Sequence, residues 1–180
     1  MQVTRRPTST TASTTCESGA ALSILVVVAS LSGNTRELGR QIAERCRAAG
    51  HAVHWQEADD LRQAPPLAAD EADLVLLGCW TDNAGRTPSE MKAWVAGIAE
   101  RGERPRQLAV FGTGETQWGQ EYYCGAVHRL IRYFRSDYPP LEIEQMPHGQ
   151  RHAGAIEAWT DAVLAHYWSN TDADHRRHHA

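Results

Sequence analysis

The 180-residue sequence has no apolar run long enough to span a membrane. The longest, Ile24 to Ala29 with Leu22 just ahead of it, falls far short of the roughly 18 residues a span needs. Positive charge is not in excess: 18 Lys and Arg stand against 22 Asp and Glu, net −4. That balance excludes a nucleic-acid binder working through a broad basic surface. The 4 cysteines, at positions 16, 46, 79 and 124, are too few and too irregular for a disulfide framework or a paired metal set. They fit a reducing compartment, and the expectation is a cytoplasmic protein. No Gly-Lys-Ser/Thr loop is present, which argues against binding of a nucleoside triphosphate. His128, His148 and His152 lack metal-ligand spacing, and no Ser–His–Asp arrangement or carboxylate pair points to hydrolysis. No metal site and no catalytic residues are therefore expected.

What is present is material for one domain. An apolar share of 42% supplies a core and excludes a wholly disordered chain. Residues 1–20 carry Arg5 and Arg6, are rich in Ser and Thr, and read as a disordered tail. Residues 21–168 read as the folded domain, and the polar, His-rich stretch 169–180 as a second disordered tail.

Within 21–168, apolar runs alternate with helical patterns. Leu22–Ala29 is almost continuously apolar and β-branched, as a strand buried on both faces should be. A helix from Thr35 to about Ala49 follows, stopped by Gly50. A more polar edge strand spans about Ala52–Glu57, and 59–72 reads as a loop with a short helix. Leu74–Gly78 is a third strand, followed by a loop and a helix from Pro88 to about Ala99. Gln107–Gly112, a helix from about Glu121 to Arg135, Leu141–Met146 and a helix over Ala153–Trp168 complete the pattern. Such alternation predicts a doubly wound α/β sandwich with a five-stranded parallel sheet. Ligands bind such sheets beyond the carboxyl ends of the strands, so the loops after strands one, three and four are the candidates.

The first loop, Ser30-Leu31-Ser32-Gly33-Asn34-Thr35, places hydroxyls and free backbone N–H groups at a helix N-terminus. A glycine there lets the backbone approach closely. These are the makings of an anion site, and without lysine it suits one terminal phosphate held by neutral donors. The loop after strand four reads Thr113-Gly114-Glu115-Thr116-Gln117-Trp118-Gly119-Gln120, followed by Glu121-Tyr122-Tyr123-Cys124-Gly125-Ala126-Val127. The loop after strand three reads Gly78-Cys79-Trp80-Thr81-Asp82-Asn83-Ala84-Gly85-Arg86-Thr87-Pro88.

These loops resemble those of the flavodoxin family, whose phosphate loop has the pattern Thr/Ser-x-Thr/Ser-Gly-x-Thr. Ser30, Ser32, Gly33, Asn34 and Thr35 match it, and the likeness runs from about Leu22 to Trp168. It implies a flavodoxin-like three-layer sandwich of strand order 2-1-3-4-5, of the short-chain type, binding FMN with its ribityl phosphate in the first loop. It implies that Trp118 stacks on the outer face of the flavin, with Thr113, Gly114, Glu115 and Gly119 around it. Glu115 would lie near the pyrimidine edge, where negative charge lowers the reduction potential. The family counterpart of Cys124 touches the flavin; here a buried helix residue is the expectation. The loop after strand three departs from the family's Thr-Trp-Gly. Thr81 matches, but Asp82 stands for the aromatic and Asn83 for the glycine whose peptide turns over toward the flavin. Trp80, two residues earlier, becomes the candidate for the inner face, with Ala84 and Gly85 completing the turn.

The function implied is a low-potential FMN electron carrier that is not an enzyme. Its partners would be a reductase donor and an electron acceptor, engaged transiently, by a protein that is a monomer and touches neither membrane nor nucleic acid. Two alternatives on the same fold remain. Gly114-x-x-x-Trp118-Gly119 resembles the spacing in the flavodoxin-like activator of class Ib ribonucleotide reductase. A nicotinamide-dependent FMN or quinone reductase is the other, although no nicotinamide-binding segment is evident.

Overall fold

The computed structural model describes residues 20–60, 65 and 67–178, with 172–178 as backbone alone. The tail expected over 1–20 lies, but for its last residue, outside the described residues, as does part of the loop expected over 59–72; no helix forms in the part of that loop that is described. Five strands make one parallel sheet: β1 (Ser23–Ala29), β2 (Ala52–Glu57), β3 (Leu74–Trp80), β4 (Leu108–Gly114) and β5 (Leu141–Glu144). Their order is β2-β1-β3-β4-β5, as the resemblance implies.

β1 is buried on both faces because helices cover both. Ile24, Val26 and Val28 face one layer, packed with Leu38 and Ile42 of α1 (Asn34–Ala48) and Ile156 and Trp159 of α4 (Gly149–His178). Leu25, Val27 and Ala29 face the other, with Met91, Trp94 and Ile98 of α2 (Ser89–Glu100) and Val127 and Leu130 of α3 (Gly125–Phe134). Each such branched side chain removed from water contributes about 1.5–3 kcal/mol, so the continuous apolar run is what holds β1 in the interior of the sheet, between β2 and β3.

Several boundaries differ from the sequence pattern. β3 runs two residues further, through Cys79 and Trp80, which pair with Gly112 and Thr113, and β4 runs on through Thr113 and Gly114, which pair with Ile143 and Glu144 of β5. The helix after β4 begins at Gly125 instead of Glu121, since Cys124 takes a left-handed φ of 46° that the helix cannot include. The last helix does not end at Trp168. It continues to His178, so the disordered tail expected over 169–180 is a correction for 169–178. Side-chain bonds hold the extension: Ser169 Oγ donates to Ala165 O, and Asn170 Nδ2 reaches Gln107 Oε1 and Asp137 Oδ2 at 3.4 and 3.3 Å.

Candidate functional site

Strand order reverses at β1, whose successor in sequence lies on one side and β3 on the other. Connections therefore leave in opposite directions and open a crevice at the carboxyl edge. A cleft of about 410 Å³ lies there, within the roughly 300–1,000 Å³ of small-molecule sites. All three candidate loops line it. The first supplies Leu31, Ser32 and Asn34; the second Trp80, Thr81, Asp82, Asn83, Ala84 and Gly85; the third Thr113, Gly114, Glu115 and Trp118.

The remaining candidates do not line the cleft but brace it. Gly33 is the N-cap of α1 at φ 96°, a left-handed conformation that glycine adopts without steric penalty, and it has no side chain with which to cap the helix. The N–H groups of Asn34 and Thr35 have no capping side chain, and the positive end of the helix dipole lies behind them. Ser30 Oγ accepts from the Arg36 N–H at 3.2 Å. Arg36 in turn makes a forked pair with Glu57, at 2.8 and 3.1 Å. Thr35 is fully buried, its Oγ1 2.8 Å from Thr113 Oγ1, which ties the start of α1 to the end of β4. Gly119 turns the third loop at φ 117°.

Cys124 is buried, and burial, with Glu142 adding to it, pushes its thiol up to about 12. Little of the reactive thiolate forms there near neutral pH.

Two indoles flank the cleft, each with its N–H held by a carboxylate. Trp80 Nε1 donates to Glu90 Oε1 at 2.6 Å, and Trp118 Nε1 donates to Glu115 Oε2 at 2.8 Å. Trp118 is 72% exposed and Leu31 74%, two large apolar surfaces standing open on the rim. Exposure of this kind beside a concave site marks a ligand or partner surface.

The second loop is a small closed turn. Asp82 and Arg86 exchange backbone hydrogen bonds at 2.9 and 3.0 Å, and Asp82 Oδ1 accepts from the Asn83 N–H at 2.7 Å. The turn is fastened to α3, where Thr81 Oγ1 meets the Ala126 N–H and Arg129 Nε donates to Gly85 O at 2.9 Å. Any side chain at Gly125 would come within 2.7 Å of the Gly85 backbone, so these two elements touch main chain to main chain. The left-handed residues of the turn are Ala84 (φ 56°) and Gly85 (φ 71°). Asn83, expected as the residue standing in for the conformationally free glycine, is not among them.

Two further cleft residues escape sequence reasoning. Tyr122 lies in the segment before α3, where the aromatic pair Tyr122-Tyr123 was the available signal. Gln145, just past β5, has φ 52° and donates its N–H to Gly114 O at 2.9 Å. Nothing in its local sequence points to the cleft; the pairing of β5 with β4 brings it there.

A parallel doubly wound sheet with an aromatic-walled cleft at its switch point, opening on an uncapped helix N-terminus, defines a class of α/β proteins that bind a phosphate-bearing planar ligand. Comparison with known proteins narrows the class. Residues 26–136 match the family model described as Flavodoxin. The chain is 33% identical over 132 residues to probable flavodoxin 2 of Bacillus subtilis (strain 168), covering 71% of this chain and 85% of that protein. It is 32% identical over 113 residues to a flavodoxin of Nitratidesulfovibrio vulgaris (strain DSM 19637 / Miyazaki F), covering 59% of this chain and 71% of that one. Among solved structures it is similar to oxidised flavodoxin 2 from Bacillus cereus, at 25% identity and a TM-score of 0.66 over 79% of this chain and 98% of that chain.

The chain belongs to the flavodoxin family. It is accordingly an FMN-binding electron carrier, and neither the reductase activator nor the nicotinamide-dependent reductase is favoured. The residues present fit the cofactor: neutral donors at an uncapped helix end suit a phosphate monoester, and the two indoles suit a flat aromatic ring. No helix among the described residues is long and apolar enough to cross a membrane.

Proposed function

We propose that FMN lies in this cleft with its phosphate at the Ser30–Thr35 loop and its ring between Trp80 and Trp118. The observation that carries the reading is the pair of indoles, each anchored by a carboxylate on its N–H, walling the cleft into which the α1 N-terminus opens. The flavin supplies reversible electron uptake at its ring. The chain's residues bind, orient and shield it. Ser32 and the first N–H groups of α1 hold the phosphate without a positive side chain. The indoles exclude water from both faces of the ring, each stacked contact adding about 0.5–1.5 kcal/mol beyond burial.

Thr81, Asp82, Asn83, Ala84 and Gly85 supply backbone groups at one edge of the ring. Thr113, Gly114 and Glu115 border the pyrimidine edge. Glu115, held there by its bond to Trp118, sets negative charge where electron uptake adds more, which supports a low reduction potential. The protein acts as a monomeric carrier between a reductase and an acceptor, catalysing no change in a small substrate. A cytoplasmic location is supported by Cys46, Cys79 and Cys124, all buried and unpaired. Calorimetry with FMN and with riboflavin tests the reading. FMN binds tightly at one per chain if it holds, and equal affinity for the two flavins removes the phosphate-loop assignment.

A further inference from the structure

A second groove, of about 630 Å³, lies between α2 and α3 outside the flavin cleft. Its floor is apolar, formed by Val95 and the buried Leu130, with Tyr133 standing 62% exposed beside them. Lys92, Arg129 and Arg132 are its charged members, all exposed. Lys92 is the only lysine in the sequence. No carboxylate among the described residues pairs with Lys92, Arg129 or Arg132; Arg36, Arg45, Arg86 and Arg101 have an acidic neighbour within ion-pair distance, and Arg40, Arg47, Arg104, Arg106, Arg135 and Arg151 do not. A protein of net charge −4 thus sets three cations without an ion-pair partner around one apolar groove.

The groove is joined to the flavin cleft. Arg129, on its wall, donates through Nε to Gly85 O, and Gly85 lines the cleft. Whatever occupies the groove therefore stands against the turn that borders the proposed ring site.

We propose that the groove between α2 and α3 docks an acidic segment of the protein's redox partner. The inference rests on the FMN-carrier reading and names the chemistry of the partner that reading requires. An apolar floor with an exposed tyrosine, rimmed by cations, matches the general pattern of a protein interface: an apolar or aromatic anchor inside a polar rim. Elsewhere the chain's negative charge repels an acidic partner, so the cations of this face both attract it and fix its orientation. The contact stays small and transient, as rapid exchange between donor and acceptor demands.

The test uses the FMN-loaded protein, its loading read from flavin absorbance before each titration, so that failure to bind FMN is seen separately from failure to dock. The probe is a short peptide of glutamates around one central leucine, with a lysine analogue as control. Expected are amide NMR shifts confined to α2, α3 and residues 83–86, which weaken as ionic strength rises. A carbodiimide should join a peptide carboxylate to Lys92 Nζ as an amide, the reagent leaving as its urea. The double variant Lys92→Glu, Arg132→Glu should weaken peptide binding by about tenfold or more and leave FMN affinity unchanged. Binding that is absent, lies elsewhere, or is unaltered in the double variant overturns the proposal. So does NADP⁺ or inorganic phosphate moving the same amides and displacing the peptide, which would make the groove a small-anion site.

Discussion

Trp80 Nε1 lies 2.6 Å from Glu90 Oε1, so the last residue of β3 is locked to the first turn of α2 by a charge-assisted hydrogen bond. The indole is partly buried and lines the cleft, and its orientation there is set by a residue outside the cleft. Glu90→Ala leaves that N–H without its partner. The variant should bind FMN more weakly by about 1–2 kcal/mol, whereas Glu90→Gln, which keeps an acceptor, should lose much less. Titration followed by quenching of flavin fluorescence measures both. Equal affinities in wild type and Glu90→Ala would mean that Trp80 needs no such anchor.

Trp118 is the exposed counterpart. Trp118→Ala should weaken FMN binding by about 1–3 kcal/mol through lost stacking and burial, and Trp118→Phe should recover most of it. A change below a few tenths of a kcal/mol in the alanine variant would show that this indole points away from the ring.

Gly33 is required for its backbone, because a Cβ there meets nothing within 4 Å. Gly33→Ala should cost about 1 kcal/mol from the left-handed φ alone, read as a shift in denaturant midpoint. At Ala84 the argument runs the other way. Ala84→Gly relieves the same kind of strain at φ 56° and should stabilise the protein by up to about 1 kcal/mol, while Asn83→Gly should not. Stabilisation by Asn83→Gly and none by Ala84→Gly would reverse this assignment of strain within the turn.

Glu142 of β5 provides a pH signature. His128 Nε2 lies 2.7 Å from its Oε1, yet off the line of a hydrogen bond, and that oxygen is buried with no hydrogen-bond partner among the described residues. Burial pushes the Glu142 carboxyl above the usual carboxylate range, with His128 acting the other way. The folded protein then holds this proton to higher pH than the unfolded chain does. Its contribution to stability is full below the unfolded value of about 4.3 and is lost as pH rises through the raised folded value. Glu142→Gln should flatten that slope. Unfolding midpoints measured between about pH 4 and about pH 8 in both proteins decide it, and parallel curves would assign the slope to another group.

The order of elements, the burial of β1 on both faces and the glycine turn at the start of α1 were legible in the chain itself. A β-branched run of β1's length is stable only when both faces are covered, and Gly33 and Gly50 mark the ends of α1 by conformations other residues avoid. Local pattern carries that much because strands and caps are governed by neighbours in sequence. The remaining features depend on contacts between distant segments. β3 gained Trp80 by pairing with β4, β4 gained Gly114 by pairing with β5, and α4 passed Trp168 because Asn170 found Gln107 and Asp137. The left-handed positions fell on Ala84 and Gly85 because the turn closes on itself and presses against Gly125. Gln145 entered the cleft through β5 pairing, and the cations of Lys92, Arg129 and Arg132 met only when α2 and α3 were laid side by side on one face of the sheet. Such placements are set by packing and by hydrogen bonds across tens of residues, which no local window of sequence contains.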